Sequence, residues 1–200
     1  IFAIAAVILI AGGLPGKLIG VGVIGVSGFL TAVFKFNANR NARFMSFLDP
    51  FSDIKGTGWQ VVQALYAIGS GGLFGLGLGQ SRQKYSFLPE PYNDFIFAVI
   101  CEELGLVGAI VVIMLFVGLM IRGIKIAMEA PDTFGTLLVI GIVAQIIIQA
   151  TFNIAVATAS VPNTGISLPF FSFGGTAIVM LLGEMGIILN VSRYSRKKEN

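Results

Sequence analysis

The sequence predicts an all-α, polytopic membrane protein with about six transmembrane helices, and three observations lead to this prediction. Of the 200 residues, 56% are apolar and only 12% are charged, whereas charged residues make up about a quarter of an average soluble domain. The mean hydropathy is +0.90. The apolar residues form long unbroken runs, not the alternating strands of about ten residues that a transmembrane β-barrel requires. We therefore expect a helical bundle.

Six apolar segments define the predicted helices, because a helix needs about 20 residues to cross the hydrocarbon core. In chain order they are 1–14, 18–36, 59–78, 95–121, 135–156 and 167–189. The chain starts within an apolar run and without a Met, so we expect one helical membrane domain over residues 1–200 that is truncated at its N-terminus. The third segment contains GSGG at 69–72, which predicts close helix packing or a helix break near the outer face.

Basic residues predict the orientation of the helices. Successive spans alternate sides, and loops rich in Lys and Arg face the cytoplasm. One set of loops holds ten of the thirteen basic residues, namely Lys35, Arg40, Arg43, Lys55, Arg122, Lys125, Arg193, Arg196, Lys197 and Lys198. We predict a cytoplasmic loop at about 37–58, a cytoplasmic tail at 192–200 and a large external loop at about 78–94. Because membrane topology explains the net positive charge, no nucleic-acid partner is expected.

The available residue types narrow the chemistry. Histidine is absent, so acid–base catalysis near neutral pH would use Asp, Glu, Lys or Tyr. The single cysteine, Cys101, excludes an intramolecular disulfide and is interpreted as a small apolar residue. The stretch SFLPEPYNDFIFAVICEELG at 86–105 brings together four carboxylates in an otherwise apolar region. They are Glu90, Asp94, Glu102 and Glu103.

Each carboxylate has a structural interpretation beside a functional one. Asp94 precedes FIFAVI, where it fits a helix N-cap, but the stiff approach LPEPYND also suits a general base at a water–lipid boundary. Glu90 is a solvated loop acid or an external helper. Glu102 and Glu103 either stabilise helix packing or line a wet cavity. Because adjacent helical positions point about 100° apart, we expect one of the two to face the cavity and the other a neighbouring helix.

Two further segments lie on the predicted external side. Arg82 and Lys84, in QSRQKYSF, are positioned either to bind phosphate or pyrophosphate or to snorkel toward lipid head groups. The segment NIAVATASVPNTGISLPFFSFGG at 153–175 interrupts an apolar helix with polar residues, Pro and Gly. Irregular backbone at membrane depth is tolerated only where protein buries it or where it lines a cavity. We therefore expect this segment and Asp94 to share one external cleft.

These motifs resemble a known family. The stretch GTGWQVVQALYAIGSGGLFGLGLGQSRQKYSFLPEPYNDFIFAVICEELG, together with PNTGISLPFFSFGG, resembles the SEDS family (shape, elongation, division and sporulation) over essentially all 200 residues. QSRQKYSFLPEP is most similar to its FtsW/SpoVE division and sporulation branch. The resemblance implies the C-terminal part of a ten-helix bundle in the bacterial inner (plasma) membrane. It also implies a peptidoglycan glycosyltransferase that polymerises lipid II, an undecaprenyl-pyrophosphate-linked disaccharide peptide, with a class B penicillin-binding protein and divisome or sporulation proteins.

The resemblance also assigns roles to residues. The family motif PExHTDFIF aligns with 89–97 and makes Asp94 the general base. Arg82 and Lys84 would stabilise the departing pyrophosphate, and a divalent cation (Mg²⁺ or Mn²⁺) beside them is left open. The candidate substrate-binding residues are Arg82, Lys84, Glu90, Glu103, Asn153, Thr164 and Ser172.

The chain departs from the family pattern at two places. Tyr92 and Asn93 replace the usual His and Thr, so the family's His is not required as the base. Ala159 and Ser160 stand where the family commonly has a Gly, which bears on the local backbone geometry. Two other functions compete with polymerisation. A lipid II flippase should need acids or broken helices that are accessible from both faces, and a non-catalytic scaffold for the penicillin-binding protein should tolerate the loss of the Asp94 carboxylate.

Overall fold

The structure, a computed structural model, describes residues 1–15, 20, 47, 51, 58–83 and 94–195. This part of the chain contains five long helices and no strand. The helices are α1 (Phe2–Ala11), α2 (Trp59–Gly71), α3 (Ile96–Met128), α4 (Thr133–Ala157) and α5 (Gly175–Ser195). Helices α3, α4 and α5 are long and apolar enough to cross a membrane. The prediction of an all-helical, multi-pass membrane protein is confirmed.

The chain divides into two compact units. The first consists of Ile1–Val33, Phe116–Ile148 and Gly175–Asn200, and the second consists of Phe34–Leu115 and Gln149–Gly174. In the first unit, the amide of Gln145 in α4 donates to Oε1 of Glu184 in α5 at 2.8 Å. This hydrogen bond satisfies one oxygen of an acid that lies within an otherwise apolar helix.

The second unit has a small core built from α2, the start of α3 and the end of α4. Its buried members are Ala64, Ala67, Phe95, Ala98, Val99 and Val156. Alanines predominate on α2, so the neighbouring backbones can approach closely. Phe95 is fully buried and immediately precedes the first residue of α3. The burial of its ring therefore fixes the point at which the chain enters that helix.

Helix α3 is broken at Gly105, where φ is +67° and ψ is −165°. In an unbroken helix, the amides of Leu106 and Val107 would donate to the carbonyls of Glu102 and Glu103. Here both amides donate instead to a segment that follows α2, which we call the glycine loop (residues 72–82). The acceptors are the carbonyls of Gly72, at 2.9 Å, and Leu73, at 3.2 Å.

The glycine loop also satisfies the two carbonyls that the break leaves open. The amide of Leu76 donates to the carbonyl of Glu102 at 2.9 Å, and the amide of Gly77 donates to that of Glu103 at 3.0 Å. Two intrahelical hydrogen bonds are thus replaced by four bonds between the helix and the loop. Such an exchange makes a broken helix tolerable at membrane depth, where no water is available to bind the backbone.

Glycine is required where the glycine loop contacts α3, because the two backbones meet there. Gly75 and Gly105 both have positive φ, a region in which a Cβ atom is unfavourable. A Cβ on Gly75 would overlap the carbonyl of Glu103, and one on Gly105 would overlap the amide nitrogen of Gly75. The predicted close packing or helix break at the glycine-rich stretch is confirmed, and the break extends to a second helix.

Several observed helix ends differ from the predicted spans. Helix α2 ends at Gly71 instead of residue 78, because the chain turns there to pair with α3. Helix α3 continues beyond residue 121 to Met128. Helix α5 begins at Gly175 instead of residue 167, since the preceding residues form an irregular loop. The predicted span 18–36 lies outside the described residues apart from Gly20.

Replacing Gly105 by Ala tests the contact between the glycine loop and α3. The new Cβ adds the cost of a left-handed conformation, roughly 1–2 kcal/mol, and overlaps the backbone of the glycine loop. We expect the free energy of unfolding in detergent to fall by at least about 2 kcal/mol. Gly118→Ala in the same helix is the control, because a Cβ there meets nothing within 4 Å and its φ lies outside the positive region. Equal stability of the two variants would contradict the proposed role of Gly105.

Candidate functional site

Asn153, in the last turns of α4, holds two separate segments together. Its side chain is fully buried. The Nδ2 atom donates to the main-chain carbonyl of Asp94 at 2.8 Å and to that of Ile166 at 2.7 Å. One buried amide thereby joins the entry to α3 to an irregular segment that follows α4, which we call the proline loop (residues 158–174). The two segments that the sequence predicted to share one cleft are adjacent in the structure.

The carboxylate of Asp94 lies beside the backbone of Gly165 in the proline loop. A Cβ on Gly165 would be 3.5 Å from Oδ2 of Asp94. Gly165 has a φ of +66°, and its amide donates to Oδ1 of Asn163 at 3.2 Å. Because α3 begins at Ile96, Phe95 and not Asp94 occupies the position immediately before the first helical residue. The helix boundary therefore differs from the one that the N-cap interpretation of Asp94 assumed.

Further hydrogen bonds hold the proline loop in place. Asn163 Nδ2 donates to Oε1 of Gln60 in α2 at 2.9 Å. Gln149 Nε2, in α4, donates to the carbonyl of Ser167 at 3.0 Å. Within the loop, the hydroxyl of Ser172 accepts from the amide of Leu168 at 2.7 Å. The loop is thus attached to two helices and folded on itself, so its irregular backbone is satisfied by protein groups.

Two non-glycine residues of the proline loop have positive φ. They are Ala159, at +52°, and Phe170, at +67°. Ala159 is one of the two residues that stand where the family commonly has a Gly. The backbone conformation here is one that favours glycine, so Ala159 introduces local strain at this point of the loop.

Glu102 and Glu103 differ in burial, as expected for adjacent helical positions that point about 100° apart. Glu102 is buried, with 1% of its surface exposed. Its Oε2 accepts from the hydroxyl of Ser81 at 2.5 Å, and its Oε1 accepts from the main-chain amide of Arg82 at 3.0 Å. Glu103 is partly buried. Of the two interpretations, packing applies to Glu102, whose carboxylate is fully used in binding the end of the glycine loop.

The remaining candidates have different surroundings. Thr164 and Arg82 are exposed, whereas Asn153 and Ser172 are buried and hydrogen-bonded to the main chain. Lys84 and Glu90 lie outside the described residues. Within the described ranges, no group of three or more Asp, Glu, His or Cys side chains could hold a metal ion.

The sequence analysis missed three residues that build the site. Gln60, Gln149 and Ser81 were not selected, although each fixes a loop. The signal for Gln149 was its spacing, because it precedes Asn153 by four residues and shares a face of α4. Gln60 shares helical spacing with Gln63, three residues later, but this pattern does not identify its partner in the proline loop, and Ser81 lies outside a helix.

Comparisons with known proteins extend these observations. Residues 1–197 match the model of the cell cycle protein family FtsW/RodA/SpoVE. The chain is 49% identical to stage V sporulation protein E of Bacillus subtilis (strain 168) over 189 residues, which are 94% of this chain and 51% of that protein. It is 50% identical to the probable peptidoglycan glycosyltransferase FtsW of the same strain over 161 residues, 80% of this chain and 40% of the relative.

A solved structure has the same fold. It comes from work on the structural coordination of polymerization and crosslinking by a peptidoglycan synthase complex, and it matches with a TM-score of 0.76 at 25% identity. The match covers 96% of this chain and 53% of the other. The chain thus spans about half the length of the curated relatives and the solved structure that it matches.

Replacing Asn153 by Ala tests the joint between the two segments. The variant leaves two carbonyls without their donor, and each buried unsatisfied group costs about 1–3 kcal/mol. We expect the free energy of unfolding to fall by about 3 kcal/mol. Asn190→Ala is the control, because Asn190 is exposed on α5, and it should change stability by less than about 0.5 kcal/mol. Similar losses in the two variants would contradict the structural role of Asn153.

Replacing Ala159 by Gly tests the strain in the proline loop. Glycine adopts positive φ without the Cβ penalty, so we expect the variant to be more stable by about 1 kcal/mol. Ala150→Gly, in the interior of α4, is the matched control. It should lower stability by a similar amount, roughly 0.5–1 kcal/mol. Thermal unfolding of both variants in detergent measures the difference, and a loss of stability in Ala159→Gly would show that the site is not strained.

Proposed function

This chain belongs to the FtsW/RodA/SpoVE family of cell cycle proteins, and we propose that it forms part of a peptidoglycan glycosyltransferase that polymerises lipid II during division or sporulation. The names of its FtsW relatives support this activity. One structural observation carries the proposal. The Asp94 carboxylate lies beside Gly165 at the junction of α3 and the proline loop, and Asn153 fixes that junction through main-chain carbonyls.

Asp94 acts as the general base in the proposed reaction. Its carboxylate accepts the proton of the 4-hydroxyl group of the acceptor sugar. The oxygen of that hydroxyl forms a bond to the anomeric carbon of the lipid-linked donor, and the bond from that carbon to the pyrophosphate oxygen breaks. Undecaprenyl pyrophosphate leaves with the bonding electron pair. Because Asn153 holds the backbone of Asp94, the carboxylate needs little rearrangement to reach the hydroxyl.

Cationic side chains stabilise the leaving group. The developing charge on the pyrophosphate suits an Arg, whose guanidinium can donate two parallel hydrogen bonds, and a Lys, which acts as a point charge. Arg82 is exposed at the end of the glycine loop, and we assign this role to it together with Lys84. Thr164, exposed next to Gly165, contributes a hydroxyl for sugar binding.

The remaining parts of the proposal concern location and partners. We place the protein in the bacterial inner membrane with a cytoplasmic C-terminus, because ten of the thirteen basic residues lie on one predicted side. Labelling of an introduced cysteine in the tail from outside the cell would contradict this orientation.

A class B penicillin-binding protein is the proposed partner. It is supported by the likeness to a chain from a peptidoglycan synthase complex.

Asp94→Asn in the full-length protein tests the proposed base. General base catalysis is worth about 10²–10⁴-fold, so we expect polymerisation of purified lipid II, with the partner present, to fall by at least about 10²-fold. Asp132→Asn is the control. Asp132 accepts a hydrogen bond from the amide of Gly135 at the start of α4, and an Asn side chain preserves that cap.

The same variants separate the competing functions. Retained glycan synthesis in Asp94→Asn would contradict the role of general base. If synthesis is lost while partner binding is normal, a pure scaffold is excluded. Transfer of labelled lipid II between the leaflets of vesicles is measured in parallel, and transfer without any polymerisation would favour the flippase.

A further inference from the structure

Glu102 has a feature that the proposed reaction does not use. Its carboxylate is buried within α3, three residues before the break at Gly105, and it binds two neutral donors. A carboxylate at such depth is costly unless its oxygens are satisfied. Both donors come from the last two residues of the glycine loop, Ser81 and Arg82. The energetic cost of burying the acid is therefore offset at one place, the end of this loop.

The glycine loop needs such an anchor. Its first half is attached to the break in α3 by four backbone hydrogen bonds, the last of which involves Gly77. The chain beyond this point contains Gly79, which like Gly75 and Gly77 has positive φ, and glycines leave a chain many alternative conformations. The carboxylate of Glu102 is the next attachment, four residues on. The loop is thus fixed at both ends.

The hydrogen bond to Glu102 fixes the backbone position of Arg82. Oε1 of Glu102 accepts from the main-chain amide of Arg82, so the bond orients the backbone and leaves the guanidinium available. The side chain of Arg82 is exposed, and no ion pair between the described residues involves it. An arginine with a fixed backbone and an exposed guanidinium group suits an anionic ligand, because less conformational freedom is lost on binding.

We propose that Glu102 is a positioning residue that presents Arg82 to the diphosphate of the lipid-linked donor. The inference rests on the proposed function, and it adds a residue that acts through another one without touching the substrate. The two donors also indicate which property of Glu102, its charge or its hydrogen bonds, is needed to hold the loop. A Gln at this position keeps an oxygen for the amide of Arg82, and its NH₂ group can donate to the Ser81 hydroxyl, which also accepts. The negative charge is therefore dispensable, whereas the two hydrogen bonds are not.

The kinetic test is a double-mutant cycle in the full-length protein with its partner. We expect Arg82→Ala and Glu102→Ala each to lower kcat/KM for lipid II by about tenfold, because both weaken the interaction with the diphosphate of the donor as it leaves. The double variant should be no worse than Arg82→Ala alone. Glu102→Gln should retain most of the wild-type kcat/KM. The proposal would be overturned if the losses in kcat/KM caused by Arg82→Ala and Glu102→Ala multiply in the double variant. It would also be overturned if Glu102→Gln loses as much kcat/KM as Glu102→Ala.

Glu184→Ala is the matched control for the cycle. It also removes a carboxylate within an apolar helix, and that acid binds Gln145 instead of the glycine loop. Any general loss of stability caused by deleting a membrane-embedded acid should appear in both Ala variants. The effect of Glu184→Ala should multiply with that of Arg82→Ala, because Glu184 accepts from Gln145, whereas the main chain of Arg82 donates to Glu102. A non-multiplying effect here would show that the cycle does not report positioning, and would overturn the proposal.

A second measurement does not depend on catalysis. Trypsin cleaves after Arg82 only when the surrounding backbone can enter the protease, so the anchored loop should be cleaved slowly. We expect cleavage after Arg82, identified by mass spectrometry, to be at least about fivefold faster in Glu102→Ala and unchanged in Glu102→Gln. Unaltered cleavage in Glu102→Ala would overturn the anchoring. Absence of lipid II polymerisation by the wild type would instead contradict the proposed function, so the two failures are distinguishable.

Discussion

The structure depends on the requirement that backbone groups within a membrane find partners inside the protein. Helix α3 is broken at Gly105, and the break would expose two amides and two carbonyls. The glycine loop supplies a partner for each of them. This exchange lets the chain turn after α2 and return along α3 at close distance. Both Glu102 and the exposed Arg82 owe their surroundings to that return, because the loop ends beside the helix that it repairs.

The same requirement explains the polar residues of α4. Gln145, Gln149 and Asn153 follow one another at intervals of four, which gives them a common face. Each side-chain amide donates to a group on a later segment or to the entry of α3. In a helix of this hydropathy, three amides on one face serve as specific attachment points, since apolar contacts between helices compete with equally apolar lipid.

Much of this arrangement could be predicted from the sequence, and the rest has a physical reason for being missed. Composition and run length predicted the helical membrane fold, and the polar, irregular segment after Asn153 was correctly expected to lie near Asp94. The GSGG stretch left close helix packing and a helix break as alternatives, and the pairing of the glycine loop with the broken α3 could not be deduced from it. The roles of Ser81 and Gln60 depend on tertiary contacts between distant segments, which single-sequence periodicity does not report.

The absence of histidine gives the geometry around Asp94 its chemical meaning. With no imidazole in the chain, a carboxylate is the natural proton acceptor near neutral pH. Asn153 fixes the backbone at Asp94, because it binds the main-chain carbonyl of that residue. Both oxygens of Glu102 accept hydrogen bonds within the protein. Two acids only eight residues apart therefore have different surroundings. Glu102 is bound to the end of the glycine loop, whereas Asp94 lies beside the proline loop, where we propose that it accepts a proton from the substrate.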